Sequence, residues 1–136
     1  MVKRVLFICT HNSCRSQMAE ALLNQLCGSE FQAQSAGVQK TKVHPLAIKV
    51  MSEIDIDIST QSSKLIDQFK ETQFDIVVTV CDNAKETCPF FPGKQVMHQS
   101  FQDPSQVAGS EEQKLISFRK TRDEIKNWII KAFCSK

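Results

Sequence analysis

VLFICTHNSCRSQMAEALL, residues 5–23, decides how this chain folds. Val5 to Ile8 is a continuous apolar run, the pattern of a parallel strand buried on both faces. From Met18 the apolar residues recur at Leu22 and Leu26, with Ala19 and Leu23 beside them, and Gly28 follows as a stop. That is an amphipathic helix. Between strand and helix lies CTHNSCRS, residues 9–16, which puts two cysteines and an arginine into the turn. A turn needs no such residues, whereas a pocket does.

Downstream, FQAQSAG (residues 31–37) alternates Phe31, Ala33 and Ser35 and reads as a second strand ending at Gly37. His44-Pro45 starts a helix with proline at its first position, and Ala47, Val50, Met51 and Ile54 form its apolar stripe. A shorter helix is expected within residues 62–70. FDIVVTVC, residues 74–81, is the clearest buried strand and ends on a cysteine, and a short strand is expected near residues 95–98. Leu115, Phe118, Arg122, Ile125, Ile129, Ala132 and Phe133 then trace one face of a long C-terminal helix over residues 110–133. Strands alternating with helices imply an α/β sandwich with a mainly parallel sheet, whose sites form beyond the carboxyl ends of the strands. Cys9 and Cys81 both sit at such ends.

With 136 residues the chain suits one domain, residues 1–136, able to bury about 65 to 70% of its unfolded surface without staples. Lys plus Arg is 17 against 15 for Asp plus Glu, and a net charge of +2 gives no reason to invoke a nucleic-acid or membrane surface. The apolar run after the first two basic residues falls short of the roughly 7 to 15 residues of a signal-peptide core, and no stretch approaches the roughly 20 of a membrane span. A cytoplasmic location is expected. There a structural disulfide framework is not, and six cysteines invite a catalytic or metal reading.

A loop feeding a helix N-terminus aims backbone N–H groups into one concavity, a ready site for a tetrahedral oxyanion. Cys9 lies at its base, and Arg15 closes the ring with a planar fork suited to two oxygens. The hydroxyl of Ser16 can hydrogen-bond the sulfur and favour its thiolate. A helix terminus offers about 2 kcal/mol at most, whereas Arg15 within about 4 Å offers about 4 kcal/mol before desolvation, so Arg15 and the converging donors should dominate activation. The bland reading of Cys9, a small buried hydrophobe, is outweighed by the six-residue offset to Arg15. Cys14, Cys27 and Cys134 lack such support and read as structural or incidental.

CTHNSCRSQMAEALL closely resembles the low-molecular-weight protein tyrosine phosphatase superfamily, whose signature is a cysteine, five residues, arginine and then serine or threonine. The resemblance implies a three-layer α/β sandwich around a four-stranded parallel sheet, with Cys9 as nucleophile and the loop Thr10, His11, Asn12, Ser13, Cys14, Arg15 and Ser16 binding the oxyanion. NSCRSQMAE, VVTVC with a second cysteine seven positions on, and RDEIK look like the thioredoxin-coupled arsenate reductases of that superfamily. This implies a relay in which Cys9 attacks arsenate, Cys81 displaces arsenite and Cys88 displaces Cys9, leaving a disulfide that thioredoxin reduces. Asp103 in FQDPS matches the general acid, although an ordinary Asp-Pro turn looks the same. The implied partners are arsenate and thioredoxin, for a monomer with no nucleic acid, membrane, cofactor or metal.

Four features bear on that resemblance. A seven-residue helical span rises about 10.5 Å, against about 4.4 to 6.8 Å between disulfide Cα atoms, so joining Cys81 to Cys88 requires any helix there to unwind. His11 stands where many members have glycine, a position that must tolerate a side chain and suits left-handed backbone. Lys64 stands where some reductases have an acid completing a potassium site with counterparts of Asn12, Glu20 and Ser35, and is either a tethered cation or a surface lysine. Ser105 follows Asp103-Pro104 where phosphatases of the fold carry a ring-stacking aromatic. The alternatives are a phosphatase using the same Cys9, a zinc module on Cys9, Cys14, Cys81 and Cys88, whose spacings match zinc pairs poorly, and a thiol redox sensor, which leaves Arg15 unexplained.

Overall fold

A computed structural model describes residues 2–82 and 90–134. Four strands, β1 (Lys3–Ile8), β2 (Phe31–Ala36), β3 (Ile76–Thr79) and β4 (Gln95–His98), form one sheet in the order β2-β1-β3-β4. Every pairing is parallel, with Ile8 opposite both Ala36 and Thr79. β1 is therefore central, and its run Val5 to Ile8 is fully buried, as a strand covered on both faces must be. The order reverses between β1 and β3, and a crevice opens there beyond their carboxyl ends. Cys9 and Cys81 follow those two strands.

One face of the sheet carries helices α1 (Arg15–Cys27), α2 (Pro45–Ser52) and α3 (Glu111–Ile129). Val5, Phe7 and Val78 meet Met18, Leu22 and Leu23 of α1, Val50 and Met51 of α2, and Phe118 and Ile125 of α3 there. The other face is a thinner layer in which Leu6, Ile8 and Val77 pack against Phe69, Phe74 and Phe91. Pro45 opens α2 behind His44, whose side chain accepts from the Leu46 N–H. Ser110 and Gln113 cap α3 reciprocally. Arg119 grips Glu53 with a fork of 2.8 to 3.1 Å bonds and Arg122 adds another of 2.9 Å, fastening α3 to the end of α2. That grip, Arg119 foremost, holds the Glu53 carboxyl down to about 2.

Four expectations change. The helix expected in residues 62–70 is only a 3-10 turn, Ile66–Phe69, and β3 is shorter than residues 74–81. On α1 the buried stripe passes from Leu23 to Cys27, while Leu26 is 40% exposed. The C-terminal helix ends at Ile129 and continues as a π-turn, Ile130–Cys134, whose wider winding keeps Phe133 buried and leaves Ala132 exposed.

That π-turn also overturns the expectation of a chain without structural disulfides, and of the two readings of Cys27 and Cys134, structural or incidental, it leaves the structural one. It brings Cys134 to the last turn of α1, where the two cysteines form a disulfide with Cα atoms 5.8 Å apart across a sequence separation of 107. Around it Phe133 meets Phe31 and Trp128 edge-on, at ring-centroid distances of 5.2 and 5.6 Å. The disulfide therefore lies in an apolar seam at the far end of α1 from the anion loop.

Candidate active site

The anion loop runs from the end of β1 into α1. Its first anchor is β2: Cys9 N–H donates to Ala36 O at 3.2 Å, and the N–H groups of Val38 and Gln39 both donate to Thr10 O. Gly37 is pressed so closely on the loop that a Cβ there would lie 2.7 Å from the carbonyl oxygens of Cys9 and Thr10. Only glycine fits. The second anchor is the chain before and after α2, where Thr41 Oγ1 and Ser63 Oγ each donate to His11 O at 3.2 Å and His44 N–H donates to Ser13 O at 2.9 Å.

The left-handed residue of the loop is Asn12, at φ 52°, and not His11. Asparagine tolerates that region, and its buried amide is held on both sides. α1 begins behind Cys14, whose side chain makes no N-cap hydrogen bond, and a helix N-terminus that opens on this loop suits an anion.

Cys9 is 2% exposed, and its sulfur lies 2.8 Å from Ser16 Oγ. Asn12 Nδ2 donates to the same Ser16 oxygen at 2.7 Å. Among the described residues Arg15 is the largest fully buried side chain; its Nη1 donates to Phe101 O at 3.2 Å and its Nη2 lies 3.5 Å from Asp103 Oδ2. A buried guanidinium needs such partners. Asp103 Oδ1 accepts from Ser105 N–H at 3.0 Å and from Ser105 Oγ at 2.7 Å, and the Cys14 thiol points to it at 3.6 Å. Ser105 thus orients the carboxylate and offers no ring to a substrate.

Cys14 shares the loop with Cys9 but not its setting. Burial above all, and then the negative charges of Asp103 and Cys9, push the Cys14 thiol well above the ordinary cysteine range despite Arg15. Cys14 stays protonated. Cys81, buried at the end of β3, directs its sulfur to Ile8 O at 3.7 Å, the carbonyl of the residue before Cys9. Cys9, Arg15, Ser16, Asp103 and Cys81 are therefore gathered beyond the carboxyl ends of β1 and β3, while Cys88 falls outside the described residues.

Above the loop a cleft of about 380 Å³ is lined by Thr10, His11, Asp82, Gln102, Asp103, Gln106 and Val107. Lys64 is no surface lysine: its ammonium lies 3.6 Å from Glu20 Oε1 and donates to Ser62 O at 3.1 Å, and Ser35 Oγ donates to the same Glu20 oxygen at 2.5 Å. The supporting amides Gln17 and Gln61 carry no local sequence signal. A buried glutamine in a first helical turn reads like a surface one until its neighbours are known.

The profile of the Low molecular weight phosphotyrosine protein phosphatase family matches residues 4–135. An arsenate reductase of Halalkalibacterium halodurans is 46% identical over 124 residues, covering 90% of this chain and 89% of that protein. A solved arsenate reductase in its phosphate-binding state superposes with a TM-score of 0.82 at 32% identity, covering 96% of this chain and 95% of the other. A thioredoxin-dependent arsenate reductase of Corynebacterium glutamicum superposes with a TM-score of 0.69 at 28% identity, over 99% of this chain and 64% of that one.

Proposed function

The chain belongs to the low molecular weight phosphotyrosine protein phosphatase family, and within that family we propose that it reduces arsenate to arsenite, with thioredoxin as the reductant. The observation that carries this reading is Cys81, a second buried thiol directed at the backbone beside Cys9. Phosphoester cleavage has no use for it.

In the first step the Cys9 thiolate attacks arsenic and an arsenate oxygen leaves as water, with Asp103 as the proposed proton donor. Arg15 and the donors of the α1 N-terminus hold the remaining oxygens. Cys81 then attacks the Cys9 sulfur. The S–As bond breaks, its electron pair stays on arsenic as As(V) becomes As(III), and a Cys9–Cys81 disulfide forms as arsenite departs. Attack by Cys88 on the Cys81 sulfur frees Cys9, and the resulting Cys81–Cys88 disulfide takes two electrons from thioredoxin. Cys14 sits beside this sequence as a neutral thiol.

A phosphatase reading draws on the same anion loop. The described cleft lining contains no phenyl or indole ring to stack a phosphotyrosine, and Ser105 stands after Asp103-Pro104. Both features favour a small oxyanion. The deciding assay is arsenate with thioredoxin, thioredoxin reductase and a nicotinamide reductant. Arsenate-dependent oxidation of the nicotinamide is expected, and its absence alongside robust phosphoester cleavage would establish the phosphatase instead.

A further inference from the structure

We propose that Gln17, backed by Gln61, is a positioning residue that aims the hydroxyl proton of Ser16 at the sulfur of Cys9. The inference rests on Cys9 being the nucleophile and concerns which atom donates in its contact with Ser16. A contact of 2.8 Å between Cys9 Sγ and Ser16 Oγ has two possible senses, since either atom can donate. Only donation by the hydroxyl stabilises the thiolate. The sense is set by groups further along the chain of hydrogen bonds.

Amide oxygen and nitrogen have nearly the same shape, so an asparagine or glutamine is oriented only by partners that cannot reverse roles. Such partners lie at two points. The backbone N–H of Lys64, which can only donate, lies 2.7 Å from Asn12 Oδ1. Asn12 must therefore turn its Nδ2 toward Ser16 Oγ, 2.7 Å away, and donate to it. The Ser16 oxygen is then an acceptor on that side, which leaves its single proton free for Cys9.

Gln17 locks the arrangement. It is fully buried, and its Nε2 faces two carbonyls that can only accept, Asn12 O at 3.0 Å and Ser62 O at 2.9 Å. The same nitrogen reaches Asn12 Oδ1 at 2.9 Å, so one of its two hydrogens is shared between acceptors, and this contact favours the same sense of the Asn12 amide as Lys64 does. Its Oε1 is left to accept from Gln61 Nε2 at 2.7 Å, and Gln61 Nε2 also reaches Gln17 O at 3.2 Å. From Gln61 to the sulfur each amide thus has one allowed sense. The Gln17 contact with Asn12 O also holds the left-handed residue of the loop in place.

Its test reads Cys9 directly. Reduced full-length protein, freed of reductant, is alkylated with iodoacetamide across a pH series, and modification of Cys9 is quantified on its own peptide. Gln17→Met keeps the volume and removes the amide. The pH midpoint of Cys9 alkylation should rise by about one unit, so alkylation below the midpoint slows about tenfold, while Cys81 on its separate peptide is unchanged. Gln61→Ala, at a half-exposed position that tolerates truncation, should move the midpoint in the same direction by less. Gln61→Asn, which keeps an amide, should recover part of the difference. If both Gln17→Met and Gln61→Ala melt earlier but keep the wild-type midpoint, these residues only support the loop and the proposal is wrong. Should Gln17→Met fail to fold, Gln61→Ala decides alone, and an unmoved midpoint overturns it. The assay contains neither arsenate nor thioredoxin, so its failure and a failure of the reductase reading are separate results.

Discussion

The two ends of helix α1 treat cysteine in opposite ways. At its N-terminal end Cys9 meets Ser16 and Arg15 follows in the first turn, both buried and polar, while Cys81 waits at the end of the neighbouring strand. At its C-terminal end, about 20 Å away along 13 residues, Cys27 joins Cys134 in a seam of phenylalanine and tryptophan rings. Donors and a fixed positive charge make a thiolate worth forming at the first end. Apolar neighbours offer it nothing at the second, where the sulfurs serve to join two helices. Cys14 refines the contrast, because it stands one residue from Arg15 and still stays protonated under burial and the charge of Asp103. Proximity to the loop does not make a cysteine reactive; the sign and direction of what faces its sulfur do.

The largest expected effects come from breaking the reactive end. Cys9→Ser should abolish both arsenate reduction and any phosphoester cleavage, since both use the same thiolate. Cys81→Ser should stop thioredoxin-coupled turnover and leave phosphoester cleavage largely intact, measured on the same preparations. Loss of both activities in Cys81→Ser, with a native melting profile, would mean that Cys81 shapes the loop rather than carrying electrons.

Breaking the other end should cost stability and spare chemistry. Cys27→Ser with Cys134→Ser opens a loop closed over a separation of 107 residues, a change of about 2 to 4 kcal/mol that lowers the melting temperature by roughly 7 to 14 °C. Adding a strong reductant to the unmutated protein should lower it similarly, while initial rates of phosphoester cleavage stay within about twofold. A melting temperature indifferent to reductant, with a mass two hydrogens heavier than the disulfide form, would show that the pair stays reduced.

The smallest effect lies at His44, which touches the loop through Ser13 and caps α2 with its ring nitrogen. Burial foremost, with Lys114 and Lys42, lowers its pKa below the ordinary 6.5, against the pull of Asp103. Its neutral form is thus the folded form. The cap's contribution is complete above about pH 6.5 and is lost as the pH falls below it, because the unfolded chain takes up the proton first. Unfolding free energies from urea titrations at pH 7.5 and 5.5 should differ by up to about 1 kcal/mol, and His44→Asn, which caps without titrating, should flatten the difference.

Much of this was legible in the sequence, for local reasons. The apolar run of β1, the four-residue spacing of α1 and the cysteine-to-arginine offset are short-range patterns, and strand, loop and helix lie where they predict. FQDPS drew attention to Asp103 through the resemblance alone, and the fold sets its carboxylate 3.5 Å from Arg15. What the sequence hid is set at long range. The Cys27–Cys134 bond depends on a π-turn that no periodicity announces. The left-handed position of the loop fell to Asn12 because Gln17, Ser16 and Lys64 converge on its amide, and Lys64 met Glu20 through a fold that brings β2, α1 and the chain after α2 together.

The most direct measurement of the contrast between the two ends is the disulfide map of Cys88→Ser enzyme after a single exposure to arsenate without thioredoxin. Mass analysis of its peptides should find Cys9 joined to Cys81, one arsenite released per enzyme, and the Cys27–Cys134 link the same before and after. Arsenite released with Cys9 and Cys81 both still reduced, or with the new disulfide at Cys27 or Cys134, would contradict it.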